Sequence, residues 1–248
     1  MKSGYFLVPI LILVLVIASC QIKSKKSTEM LKYKMGKTIS VPEPSGLDLT
    51  YDNKGFWTVS DETSTIYKLD GEGNVVSTIK VNGDDLEGIT VVNDSTLAVV
   101  LERTREVVLL DTSGTEIKRK NLGLKGKPNS GLEGITYIPE NGHFFVVNEK
   151  KPSLLLELNS QLEIIGIDTL KFSRDVSAIF YDKRNKCLWI LSDENQLVVK
   201  TDMHGKPLEK IDISVVQPEG ITIDPDGKKL YIVSDNKNAL YVYDFNDE

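Results

Sequence analysis

From residue 33 onward the apolar residues fall in short runs that never sustain a 3.6-residue period, and Gly, Asn, Asp or Pro breaks them every few positions. This is the pattern of strands joined by tight turns, and it predicts no helix in that part of the chain. The runs also repeat. Aligned on one glycine they read PSGLDLT at Gly46, LEGITVV at Gly88, LEGITYI at Gly134, VSAIFYD with Ala178 in place of glycine, and PEGITID at Gly220, at intervals of 42, 46, 44 and 42 residues.

Each repeat continues in the same order. A turn leads to a second apolar strand (GFWTVSDE, STLAVVLER, GHFFVVNEK, KCLWILSDE, KLYIVSDNK), and an acidic turn leads to a third (TIYKLD, EVVLLD, SLLLELN, QLVVKTD, ALYVYD). Four strands in a period of this length describe one blade of a β-propeller. The expected fold is therefore all-β: a five-bladed β-propeller of four-stranded antiparallel blades. The fifth repeat stops at YDFNDE, where the others turn into an outermost strand. The segment YKMGKTI, Tyr33 to Ile39, is placed to supply that strand and close the ring, which shields an otherwise open edge.

Four positions before the acid that ends each second strand stand Trp57, Ala98, Phe145, Trp189 and Tyr231. A large aromatic in four of five repeats points to a packing layer between blades, with ligand stacking as the alternative.

Composition fits one globular domain: 248 residues, 40% hydrophobic and 27% charged. The net charge is -6, and it becomes -7 without the first 19 residues, whose only charged side chain is Lys2. This disfavours nucleic acid as a partner, which calls for a basic face.

The chain begins MKSGYFLVPILILVLVIASC, a short basic start, an apolar run and small residues, as in a secretory signal. The ending Ile17-Ala18-Ser19-Cys20 resembles a bacterial lipobox, in which the cysteine thiol is acylated with diacylglycerol and heads the mature chain. The expected organisation is a lipoprotein signal peptide over 1–19, a polar lipid-anchored tether over 20–32, and the propeller over 33–248. An ordinary cleaved signal or an uncleaved anchor are the alternatives, although the run Tyr5 to Ile17 is short of the roughly 20 residues of a spanning helix. The expected address is the bacterial cell envelope, held to the membrane through Cys20. The lack of Asp after Cys20 favours the periplasmic face of an outer membrane, with the plasma membrane as the alternative. Cys187 is the only other cysteine, so the mature domain has no internal disulfide. It lies in the apolar strand CLWIL and reads as an inert buried thiol.

Propeller topology sorts the acids. The first strand of a blade leaves one face and the second returns to it, so both the start of the first and the end of the second lie at one mouth of the channel, here the upper mouth. Glu87, Glu133 and Glu219 start first strands, with Ser45 and Ser177 in their place in blades one and four. Asp61, Glu102, Glu149, Asp193 and Asp235 end second strands and form a possible outer acid ring, with Asp84, Asp85 and Asp175 in the incoming loops. Turn chemistry and pairing with neighbours such as Arg103, Arg105 and Lys150 can account for some outer acids.

The inner three are harder to explain that way. Two carboxylates about 6 Å apart repel by roughly 3 kcal/mol at an effective dielectric near 20, so three that converge must protonate, recruit bases or bind a cation. Calcium takes about six to eight oxygens in irregular geometry and suits ligands drawn from several blades. Capping of backbone N–H groups or pairing with arginine is the alternative. His143 and His204 fall in turns of the opposite face, which leaves neither a zinc cluster nor a Ser-His-Asp triad at the acids.

The LEGIT repeats, the VSDE and VSDN strand ends and the lipobox ahead of a propeller together resemble the SdiA-regulated (YjiK-like) family of bacterial envelope proteins, distantly related to NHL-repeat propellers. The likeness covers roughly residues 40 to 248. It implies a five-bladed propeller with a calcium site, carried onto Glu87, Glu133 and Glu219, and implies no particular reaction. Two functions stand open: a monomeric binding or scaffolding module that takes a protein or small molecule on its acidic face, and a calcium-dependent hydrolase of esterase, lactonase or phosphoesterase type.

Overall fold

The computed structural model describes residue 1 and residues 31–245. The signal peptide, Cys20 and most of the tether lie outside the described residues. Among the described residues twenty strands follow in chain order. The first, β1 (Met35–Thr38), stands apart from the blade that follows it. Blade one is β2 (Pro44–Leu49), β3 (Gly55–Ser60), β4 (Thr65–Asp70) and β5 (Val75–Lys80). Blade two is β6 (Leu86–Asn93), β7 (Thr96–Leu101), β8 (Glu106–Asp111) and β9 (Glu116–Asn121). Blade three is β10 (Leu132–Ile138), β11 (His143–Asn148), β12 (Leu154–Leu158) and β13 (Ile164–Thr169). Blade four is β14 (Ala178–Asp182), β15 (Cys187–Ser192), β16 (Leu197–Thr201) and β17 (Pro207–Asp212). The last three strands are β18 (Pro218–Ile223), β19 (Lys229–Ser234) and β20 (Ala239–Asp244).

Five four-stranded antiparallel sheets result, and the fifth has the order β1-β20-β19-β18. The N-terminal strand thus closes the ring as the outermost strand of blade five, with Met35 opposite Val242 and Thr38 opposite Ala239. His143 opens β11 rather than lying in the preceding turn.

Position in the blade explains the apolar content of each strand. Every residue of β3 and of β15 is buried, because second strands face a neighbouring blade on both sides. The outermost strands β9, β13 and β17 bury no residue at all, and β9 and β17 are rich in charge. The core is accordingly divided among the blade interfaces. Trp57 of blade one packs with Leu86, Ile89 and Leu97 of blade two, and Trp189 of blade four with Ile221 and Tyr243 of blade five. Phe145 meets Ile179 and Leu188, Ala98 meets Ile135 and Phe144, and the half-buried Tyr231 sits 4.9 Å from the ring of Phe56. The repeated aromatic is a packing layer, each buried ring contributing on the order of 1.5–3 kcal/mol. Cys187 is buried within the same layer.

The first strands crowd one another at the axis. A Cβ on Gly88 would lie 2.8 Å from Gly134 Cα, and one on Gly220 would lie 2.6 Å from the Gly46 carbonyl carbon. Backbone meets backbone here, so only glycine fits. The void left at this level is about 10 Å³, at or below what one water needs. The upper and lower mouths are therefore separate compartments.

Candidate metal centre at the upper mouth

The three glutamates owe their position to a defect in strand pairing. In blade two Leu86 lies opposite Leu101 and Gly88 opposite Val100, which leaves Glu87 as an extra residue. Glu133 is the extra residue between Leu132 and Gly134, and Glu219 between Pro218 and Gly220. A β-bulge of this kind re-aims the side chain it displaces. It also lets Leu86 and Ile89, three positions apart, enter the same interblade core, which strict alternation would forbid. Blade four starts in plain register at Ala178 opposite Leu191, and in blade one the extra residue is Gly46.

Two groups of three carboxylates gather here, each with one oxygen per residue within 4.8 Å of the others. One holds Asp85, Glu87 and Glu102; the other holds Glu102, Glu133 and Glu149. Glu102, at the end of the second strand of blade two, belongs to both. Glu219, Asp61, Asp193 and Asp235 stand outside these groups: Glu219 raises the pKa of Glu133 and Asp61 that of Glu87, whereas Asp193 and Asp235 act on Glu219. Asp85 joins the first group from the incoming loop, held at φ 63°. Its sequence signal is the doubled acid DDLEG, which only blade two carries.

Electrostatics at this mouth run one way. Burial, followed by the mutual repulsion of neighbouring acids, lifts Glu87 to about 8, although the Ser45 hydroxyl opposes the shift. Burial and Asp85 raise Glu102 to about 7, and burial raises Asp61 to about 6. Glu133 and Glu219 are pushed well up, first by burial and then in both cases by Glu87. Glu149, Asp193 and Asp235 are raised as well, burial being the largest cause for each. All eight carboxylates placed at this mouth by the repeat pattern therefore hold protons more tightly than in water.

Basic residues offset little of this. Arg103 Nε lies 2.7 Å from Asp85 Oδ2, a charge contact without an aligned hydrogen bond, and Lys150 pairs with Glu149 at the rim. Asp175 instead fixes the turn after β15, accepting from Ser192 Oγ at 2.6 Å and from the backbone N–H groups of Asp193 and Glu194 at 3.0 and 3.1 Å. The donor set at the mouth is oxygen throughout and fits a hard cation. The histidines are paired elsewhere, His143 with Glu157 at 2.7 Å and His204 with Asp168 at 3.1 Å.

Ring closure, the interblade core and the acids at one mouth define a five-bladed β-propeller with a potential hard-cation centre. A family model, SdiA-regulated, matches residues 26–244, and the chain belongs to that family. Among solved structures it is similar to the β-propeller domain of Cps50 (Swd1) from Myceliophteria thermophila, with a TM-score of 0.51 and 12% identity over 81% of this chain and 65% of that one. A chain of the nidogen/laminin complex gives a TM-score of 0.59 with 15% identity, over 82% and 76% of the two chains. The WD40 β-propeller domain of Doa1 gives 0.55 with 13% identity, over 82% and 63%. At these identities the likeness is one of fold alone, and the chain spans less than two thirds of the Cps50 and Doa1 chains.

Proposed function

We propose that this protein is a lipid-anchored module of the bacterial cell envelope that binds calcium at its upper mouth and offers that face to a protein or small-molecule partner. The observation that carries the metal site is Glu102, shared between two three-carboxylate groups whose members repel one another. Asp85, Glu87, Glu102, Glu133 and Glu149 form the ligand pool, and Glu219 with the outer acids Asp61, Asp193 and Asp235 adds to the field that attracts a cation. A bound cation would replace the protons these groups otherwise retain and so tie neighbouring blades together. The anchor rests on the lipobox at Cys20, with the periplasmic face of an outer membrane as the favoured address and a monomer as the working state. No observation favours the hydrolase alternative, since both histidines are paired away from the acids.

Calcium titration of the metal-stripped protein, by calorimetry and by thermal unfolding, tests the site. Saturable heat and a raised Tm are expected; the absence of both overturns it. Labelling of expressing cells with a clickable fatty acid tests the anchor, and Cys20→Ser is expected to abolish the label.

A further inference from the structure

The lower mouth carries a second, different site. Two positions beyond the glycine of each repeat, the first strands place Asp48, Thr90, Thr136, Phe180 and Thr222 at one level of the channel. Threonine is the common solution and has a structural reason: Thr90 and Thr136 tie adjacent first strands, Thr90 Oγ1 donating to Asp48 at 3.0 Å and Thr136 Oγ1 accepting from Tyr181 N at 3.0 Å. Blades one and four depart from it, one with a carboxylate and the other with an aromatic ring. Both departures line the same cavity of about 540 Å³, whose walls also include Tyr51, Val91, Ile223 and Pro225. That volume lies in the range of small-molecule sites, which combine apolar walls with a few placed polar or charged groups.

Asp48 is the unusual member. Its Oδ2 accepts from Val91 N at 2.8 Å and from Thr90 Oγ1, and its Oδ1 from Leu49 N at 2.8 Å and, at the longer distance of 3.5 Å, from Thr222 Oγ1. Among the described residues no lysine or arginine pairs with it, and burial lifts its pKa to about 6. The other charges of the cavity lining are matched in number. Asp182 and Asp224 balance Lys183 and Arg184, so Asp48 leaves the lining with a net charge of -1. Arg184 is held by Asp182 at 3.3 Å and by the Asp226 carbonyl at 2.8 Å. A half-buried carboxylate that has hydrogen-bond donors but no charged partner favours a cation in the cavity beside it. A hard metal ion, which needs direct access to several oxygens, would find too few here, because four donors from the protein already approach the Asp48 carboxylate. An organic ammonium meets Asp48 with its charge and the aromatic and aliphatic walls with its body.

We infer that the lower mouth binds an organic ammonium compound with an apolar body, its charged nitrogen directed to Asp48 and its body against Phe180. The glycine constriction isolates this site from the acidic mouth, so the two are filled independently.

The test is calorimetric titration of the calcium-saturated protein at neutral pH with 2-phenylethylammonium, and with the neutral 2-phenylethanol for comparison. The ammonium is expected to bind saturably and about tenfold or more tightly than the alcohol. Asp48→Asn should remove that difference, Phe180→Thr should weaken both ligands, and the exposed Glu209→Gln should change neither. Equal affinity for the two ligands, no binding of the ammonium, or binding abolished by calcium overturns the inference. Should Asp48→Asn fail to fold, the comparison of the two ligands on the unaltered protein still decides.

Discussion

Ser45 Oγ, in blade one, lies 2.8 Å from Glu87 Oε2 and 2.8 Å from the Glu87 carbonyl oxygen in blade two. A single hydroxyl proton cannot serve both acceptors. With Glu87 protonated, as its pKa of about 8 requires at neutral pH without metal, the acid proton goes to Ser45 Oγ and the serine donates to the carbonyl. Serine therefore has a role of its own at the position where other blades carry glutamate. Ser45→Ala would leave a buried acid proton and a carbonyl without partners, and should lower the stability of the metal-free protein by about 1–2 kcal/mol. Urea denaturation in chelator measures this, and an unchanged midpoint would contradict the pairing.

The pH dependence of stability should be opposite to that of a protein held by ionised carboxylates. Folded-state values of about 6 for Asp61, 7 for Glu102 and 8 for Glu87 all lie above their ordinary values of 3.8 and 4.5. The stability these groups contribute is fully present below the ordinary values and is lost as pH rises through the folded ones. In chelator, Tm should fall from about pH 5 to about pH 9, and saturating calcium should flatten the fall by replacing the protons. A metal-free Tm that climbs across this window would rule out the carboxylate ring as a dominant influence on stability.

The propeller was legible because its blades repeat: glycine spacing, apolar second strands and the missing strand of the fifth repeat together give blade number and closure. The bulges were harder to read, yet the sequence holds their signal. In LEGI and its kin, Leu86 and Ile89, or Leu132 and Ile135, are apolar at a separation of three, which a regular strand cannot bury on one face. The extra residue between them had to be displaced, and in these repeats it is the glutamate. Grouping was not legible. That Asp85 and Glu102 approach Glu87, and that Glu219 stands apart from both groups, depends on loop paths that period and alternation do not specify.

The axial glycines make a sharper mechanical prediction. A methyl group on Gly88 would meet Gly134 Cα at 2.8 Å, Val100 Cγ2 at 2.9 Å and the Glu133 carbonyl at 3.0 Å. Two of these are backbone atoms, which cannot move aside singly. Gly88→Ala should therefore cost about 2 kcal/mol or more by overpacking. Gly123→Ala is the control: its methyl group meets nothing within 4 Å, and only its φ of 68° is unfavourable, at about 1 kcal/mol. Equal losses in the two variants would show that the axis is not close-packed.

Glu102 and Glu219 separate geometric membership of the metal site from mere proximity. Both are acids at the same mouth with raised pKa values, but Glu102 stands in both three-carboxylate groups and Glu219 in neither. If calcium is held by direct ligation, Glu102→Gln removes a charged ligand from whichever group the ion occupies. It should weaken calcium binding by a factor on the order of a hundred, since a lost charged contact of this kind is worth about 2–5 kcal/mol. Glu219→Gln withdraws only a charge at longer range, and its effect should stay within about tenfold and shrink as salt is raised. Without metal, Glu102→Gln should be at least as stable as the parent once pH passes about 7, because it removes a carboxylate whose ionisation its neighbours oppose. Calcium calorimetry at two salt concentrations, with thermal unfolding in chelator, checks all of this. Equal, salt-sensitive losses in the two variants would mean that the mouth attracts calcium as a diffuse field and that Glu102 is no ligand.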